Sequence, residues 1–178
     1  MDLRGPMDEG QPRNPEKTDY DRKMNSQPTD NARAFRLAPA LAAERLAFAE
    51  MALCQVILRD ERRYPWVVLV PRRAGLEEVF DLLPGDSQRL WREVSTVASA
   101  LKAVTECDKT NIAAFGNVTR QLHVHIVARS EGDPHWAGGA VGVDDRVPYS
   151  SGDLGDGGVP AWWPALLARL ALRDLTRP

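Results

Sequence analysis

The sequence predicts an α+β domain with a mainly antiparallel sheet and one long amphipathic helix. Three observations predict it. Two β-rich runs, "LCQVILRD" and "WVVLVP", lie either side of the few polar residues "ERRYP", the pattern of an antiparallel hairpin. A long helical stretch follows, and after it come two more β-rich runs, "TNIAAFG" and "QLHVHIVAR". With so few helices to serve as crossovers, an antiparallel sheet is the simpler arrangement.

Taken in order, residues 1–34 are polar, proline-rich and without apolar periodicity, so they read as a disordered tail. Met7 and Met24 leave the natural start open. "PALAAERLAFAEMA" has helix-forming composition and suggests a short helix before the hairpin. "GLEEVFDLL" suggests one or two helical turns. In "PGDSQRLWREVSTVASALKAV", Leu90, Val94, Val97, Leu101 and Val104 recur at spacings of four and three, which makes one apolar stripe. Pro84 and Asp86 stand where a helix start tolerates proline and favours acid. A short turn around Gly116 and Asn117 is expected to join the last two strands. Beyond Asp133 the chain is Gly-rich loop, and "WWPALLARLALRDL" reads as a terminal helix with Leu166, Leu167 and Leu170 on one side. The organisation is a tail (1–34), a main domain (35–150), and a loop with a final helix (151–178).

The totals narrow the function classes. At 178 residues a single domain with a real core is expected. A net charge of −2 gives no basic footprint for nucleic acid. No stretch is long and apolar enough to span a bilayer, and the N-terminus lacks the apolar region of a secretory signal. Cys54 and Cys107 are too few for a disulfide framework, so a cytoplasmic protein with free thiols is the expectation.

The chemistry gathers in "QLHVHIVAR", which holds two of the three histidines. On a strand, alternate side chains share a face. Leu122, Val124 and Ile126 then point to the core, while Gln121, His123 and His125 form a polar row on the opposite face. Three readings of the pair stand. The histidines are polar positions on a half-exposed strand; or they chelate a metal with Glu131 or His135, a reading weakened because Glu131 lies beyond the strand and His135 in a loop; or they perform nucleophilic catalysis at phosphorus. An imidazole with a pKa near about 6.5 is both nucleophile and leaving group at neutral pH. A same-face neighbour can donate to a phosphate oxygen, and phosphoryl-type transfer needs mainly positioning and charge stabilisation.

"QLHVHIVAR" resembles the histidine triad (HIT) motif, His-φ-His-φ-His-φ-φ with φ apolar, in the bacterial branch whose motif begins with Gln. The surrounding "YPWVVLVPRR", amphipathic helix, strand and turn agree with it over most of residues 35–150. The resemblance implies a HIT-like fold and a homodimer joining two sheets. It also implies a nucleotide hydrolase or nucleotidyltransferase that cleaves a phosphoanhydride or phosphoramidate bond, as in a dinucleoside polyphosphate, through a nucleotidyl-histidine. His123 falls on the nucleophile, His125 on the residue contacting phosphate and leaving group, and Gln121 on the first triad position. Gln121 cannot titrate near neutrality. That departure sustains a rival reading, a nucleotide-binding or adaptor protein with little turnover. Asn117 falls near the phosphates, although turns favour asparagine for local reasons. Asp60 is a candidate ribose acceptor, with a hairpin-turn role equally plain. Arg129 resembles the family's basic residue after the motif but reads more simply as a solvated arginine. Trp136 either closes a base pocket or packs its loop, and His135 reads as a loop residue. Trp91, Trp162 and Trp163 are aromatics of the kind interfaces use. No protein-held metal is expected, with Mg²⁺ free to accompany the substrate.

Overall fold

Two of the β-rich runs pair as the hairpin pattern requires. The structure, a computed structural model, describes residues 35–142, 146–155 and 157–175, and the tail expectation lies outside them. Five strands are present: β1 (Arg45–Glu50), β2 (Cys54–Arg59), β3 (Trp66–Pro71), β4 (Lys109–Ala113) and β5 (Val124–Arg129). They form one sheet in the order β1-β2-β3-β5-β4, with every neighbouring pair antiparallel. Cys54 pairs with Pro71 and Leu58 with Val67, which fixes the hairpin register.

The short helix expected before the hairpin is present, and the rest of its segment is a strand. Only α1 (Pro39–Ala43) is helical, and Glu44 ends it. From Arg45 the chain pairs with β2, burying Ala47 and Ala49 alternately with half-buried Leu46 and Phe48. Sheet pairing and burial here override alanine's helical preference. "GLEEVFDLL" supplies a single 3₁₀ turn, Val79–Asp81. The connection between β4 and β5 is also longer than a tight turn and spans residues 114–123.

Helix α2 (Pro84–Thr105) lies on one face of the sheet. Leu90, Val94, Val97 and Leu101 of its stripe are buried against Val56, Leu58, Leu69, Val124 and Ile126. Glu93 is buried among them because its carboxylate accepts the backbone N–H groups of Leu53 and Cys54 at 2.8 Å each, satisfying the turn between β1 and β2. Helix α3 (Trp162–Leu170) adds Trp163, Leu166 and Leu167 to the same core. Trp163 is therefore interior rather than an interface aromatic, whereas Trp91 is 45% exposed. Among the described residues, no helix is long and apolar enough to cross a membrane.

Candidate active site

The face of the sheet away from α2 carries the polar row. Along β5 and the two residues before it, Leu122, Val124 and Ile126 enter the core under α2, and the alternation sends His123 and His125 to the opposite face. The two histidines are only 6% exposed each, so whatever they meet is built by the protein. Both line a cavity of about 490 Å³. Ala40 and Leu41 of α1 form one wall, and the turn at residues 116–119 another.

Hydrogen bonds fix the two rings in different tautomers. His123 Nδ1 lies 2.7 Å from the backbone oxygen of Gln121. A carbonyl only accepts, so Nδ1 carries the proton and Nε2 keeps its lone pair. His125 Nδ1 instead accepts from Trp66 Nε1–H at 3.1 Å, which puts the His125 proton on Nε2. The rings meet edge to face with centroids 4.8 Å apart. Burial, then the neighbouring His123 and Arg59, push the pKa of His125 down to about 3. It is thus a neutral donor near pH 7, beside an imidazole with an available lone pair.

The remaining sequence candidates separate in space. Asn117 lines the cavity, within a turn whose N–H groups at 116–119 meet no acceptor among the described residues. Gln121 precedes β5, and its side chain leaves the row. Its Oε1 accepts from Ala38 N–H and its Nε2 donates to Arg36 O, both at 2.9 Å, so the amide clamps the segment entering α1. Only the backbone of Gln121 reaches His123. Asp60 does not line the cavity: its carboxylate accepts from Arg146 and from Tyr149 N–H. Arg129 is not solvated but 1% exposed. It forks onto Asp133 with two contacts of 2.7 Å and donates to Gly138 O, pinning the loop after β5. His135 Nδ1 sits 2.8 Å from the Tyr64 hydroxyl, and Trp136 is 41% exposed outside the cavity wall. Among the described residues, no three His, Cys, Asp or Glu side chains converge as metal ligands would.

Three residues of the site lie outside the motif. Arg59, at the end of β2, lines the cavity and stacks over Trp66 at 4.3 Å, and its Nη2 pairs with Glu44 at 2.9 Å. Phe115 lines it too, its ring 6.3 Å from that of His125. Trp66 orients His125 from the neighbouring strand, where Val68 is the direct partner of His125. The period-two alternation of Ile57 and Arg59 is a sequence signal for Arg59. Placing it beside the histidines requires the pairing register, which a single sequence does not supply.

Comparison with known proteins bears on this geometry. The model of the HIT domain matches residues 42–132. A histidine triad protein from Sinorhizobium meliloti is 44% identical with a TM-score of 0.64, over 65% of this chain and 86% of that one. One from Bradyrhizobium japonicum is 39% identical, also at 0.64, over 67% and 89%. Another, from Marinobacter aquaeolei, is 39% identical at 0.64, over 66% and 85%. No curated protein matches the chain.

Proposed function

The chain belongs to the histidine triad (HIT) family, and from that premise we propose that it is a nucleotide hydrolase or nucleotidyltransferase working through a nucleotidyl-histidine. The observation that carries this reading is the Nδ1 contact of His123 with the Gln121 carbonyl, which leaves the Nε2 lone pair for attack. In the first step Nε2 bonds to the α-phosphorus and the bond to the leaving group breaks, the leaving group taking the electron pair. The imidazolium that forms keeps its Nδ1 proton on the carbonyl. In the second step water bonds to phosphorus, the P–N electron pair returns to Nε2, and the proton lost by water passes to solvent. In this reading His125 Nε2–H and the N–H groups of the 116–119 turn, which line the same cavity, take up the charge on the phosphate oxygens.

Gln121 is no obstacle to turnover. The orienting contact to His123 comes from the residue 121 carbonyl, which every residue type possesses, so an amide at this position leaves the nucleophile's orientation intact. Catalysis with Mg²⁺ bound to the substrate is compatible with the cavity, and the cytoplasm fits two reduced cysteines. A homodimer belongs to the same reading. β4 is a sheet edge with Ile112 exposed, and Phe115 and Val118 stand exposed just after it, so edge-to-edge joining of two copies buries them together.

Quenching without acid during turnover of a slow nucleotide substrate tests the mechanism. A nucleotidyl adduct mapped by mass to His123 is expected, and an adduct on His125 overturns the assignment.

A further inference from the structure

We propose that Arg129 is a positioning residue, which acts through the loop after β5 to fix the Val141–Gly142 wall of the histidine cavity before any ligand arrives. The proposal rests on the reading of that cavity as the reactive site, and it concerns how the wall is held rather than what the cavity binds.

The loop has no regular ladder to order it. Among the described residues from 130 to 142 there is no helix or strand, and four glycines stand between 131 and 142, which raises the entropy lost on fixing the chain. Side chains from the sheet hold it instead. Arg129 of β5 is 1% exposed, and each of its three nitrogens donates. Nε and Nη2 fork onto the Asp133 carboxylate, while Nη1 reaches Gly138 O at 2.7 Å and Asn111 Oδ1 on β4 at 3.2 Å. The guanidinium carbon lies 5.1 Å from the centre of the Tyr64 ring and 5.9 Å from that of Trp136. Tyr64, two residues before β3, donates its hydroxyl proton to Pro134 O at 2.6 Å and meets His135 Nδ1 at 2.8 Å. Leaving a buried guanidinium donor unpaired is costly, so the acceptors at 133 and 138 stay where the fork requires them.

From Gly138 the path to the cavity is short. Ala140 is buried with Tyr64, Trp66 and Val127, and Val141 packs against the same cluster. Val141 and Gly142 then line the cavity, whereas Arg129 itself does not. Three residues separate Gly138 from Val141, at most about 11 Å of extended chain, so a loop released at the fork moves the wall. Because the wall is ordered on folding, binding does not have to order it. The opposite wall is held in a parallel way, since the Gln121 amide clamps the segment entering α1. Each wall is thus fixed by a side chain that stays outside the cavity.

The test uses the full chain as wild type, Arg129→Lys and Asp133→Asn. Lysine keeps the charge but offers a single nitrogen, which cannot hold Asp133 and Gly138 as the fork does. Asp133→Asn leaves Arg129 in place and is the gentler change if Arg129→Lys fails to fold. Hydrogen exchange of the 133–142 amides should accelerate roughly tenfold or more in both variants, with the α2 amides near their wild-type rates. Diethyl pyrocarbonate acylates an unprotonated imidazole nitrogen, and mass spectrometry should show it modifying His123 at least about threefold faster once the wall is loose. AMP, followed by calorimetry, should bind roughly tenfold more weakly. Unchanged exchange in the loop shows that Arg129 does not hold it. Faster loop exchange with wild-type His123 reactivity and AMP affinity shows that the loop does not set the wall, and equal acceleration in α2 shows a global role. Each of these three outcomes overturns the proposal. If the wild type does not bind AMP, the nucleotide reading fails by itself, and loop exchange with His123 reactivity still decides the role of Arg129.

Discussion

The two faces of the sheet are made by the same strands yet obey different rules. Toward α2, Leu58, Leu69, Val124 and Ile126 belong to one apolar cluster, where shape decides how well they fit. On the other face, Arg59, Trp66, His123 and His125 belong to those strands or adjoin them, each held by a directional contact. One face supplies the rigidity that the other needs in order to keep its tautomers and distances. Stability and chemistry should therefore separate cleanly by face, and substitutions can break that separation.

The largest expected effect is on turnover. His123→Ala removes the nucleophile and should reduce kcat on the order of 10⁴-fold or more, with nucleotide binding largely retained. Its melting temperature should stay near that of the wild type, since the substitution removes one hydrogen bond to a backbone carbonyl at the edge of the cavity. Wild-type turnover by this variant overturns the division between faces. Leu69→Ala is the converse experiment. The side chain is fully buried against α2, so truncation should cost about 2–5 kcal/mol in urea unfolding. The folded fraction should keep its kcat. A kcat that falls along with stability shows that the two faces are coupled.

The pH dependence of stability sharpens the comparison. His125 has its pKa pushed down to about 3 in the folded protein, against about 6.5 in an unfolded chain. Between those values the unfolded state binds the extra proton. The stability from keeping His125 neutral is thus complete above about pH 6.5 and is lost as pH falls toward 3, by about 1.4 kcal/mol per pH unit. Asp133, held below the usual carboxylate range by Arg129, adds a loss at the acid end. Comparing unfolding of wild type and His125→Gln at pH 7, 5 and 4 isolates the histidine. The variant should show the shallower dependence, and equal slopes refute the buried neutral ring.

The same division explains what is legible in the sequence. The α2 face is readable because apolar periodicity is a local signal: the Leu90–Leu101 stripe and the Leu122/Val124/Ile126 alternation each lie within one run of chain. His123 and His125 are readable for the same reason. Strand β1 is not, because Ala, Leu and Glu carry helical propensity and only pairing with β2 reveals their alternation. Arg129 reads as solvated in sequence since its fork partner, Asp133, is set by the path of a loop. Arg59 and Trp66 join the histidines only through cross-strand register. Asp60 and Gln121 stand at suitable places along the chain, but their side chains turn to Arg146, Arg36 and Ala38.

The smallest expected effect is at Gln121, and it tests whether the first motif position acts through its side chain or its backbone. The amide makes two hydrogen bonds to the segment 36–38, which leads into the α1 wall of the cavity. The contact that orients His123 comes from the carbonyl of the same residue. Gln121→Ala deletes the first function and keeps the second. Net hydrogen bonds of this kind contribute about 0.5–1.5 kcal/mol each, and the site is half-exposed, so a modest stability loss is expected. Loosening of the Ala40–Leu41 wall should raise KM a few-fold while kcat holds, since the Nε2 lone pair stays presented. Gln121→His should behave similarly, because an imidazole cannot reproduce the paired donor and acceptor of the amide with the same geometry. A fall in kcat at constant KM in Gln121→Ala gives the opposite answer, that the amide itself takes part in the reaction, and removes the backbone account of how His123 is aimed.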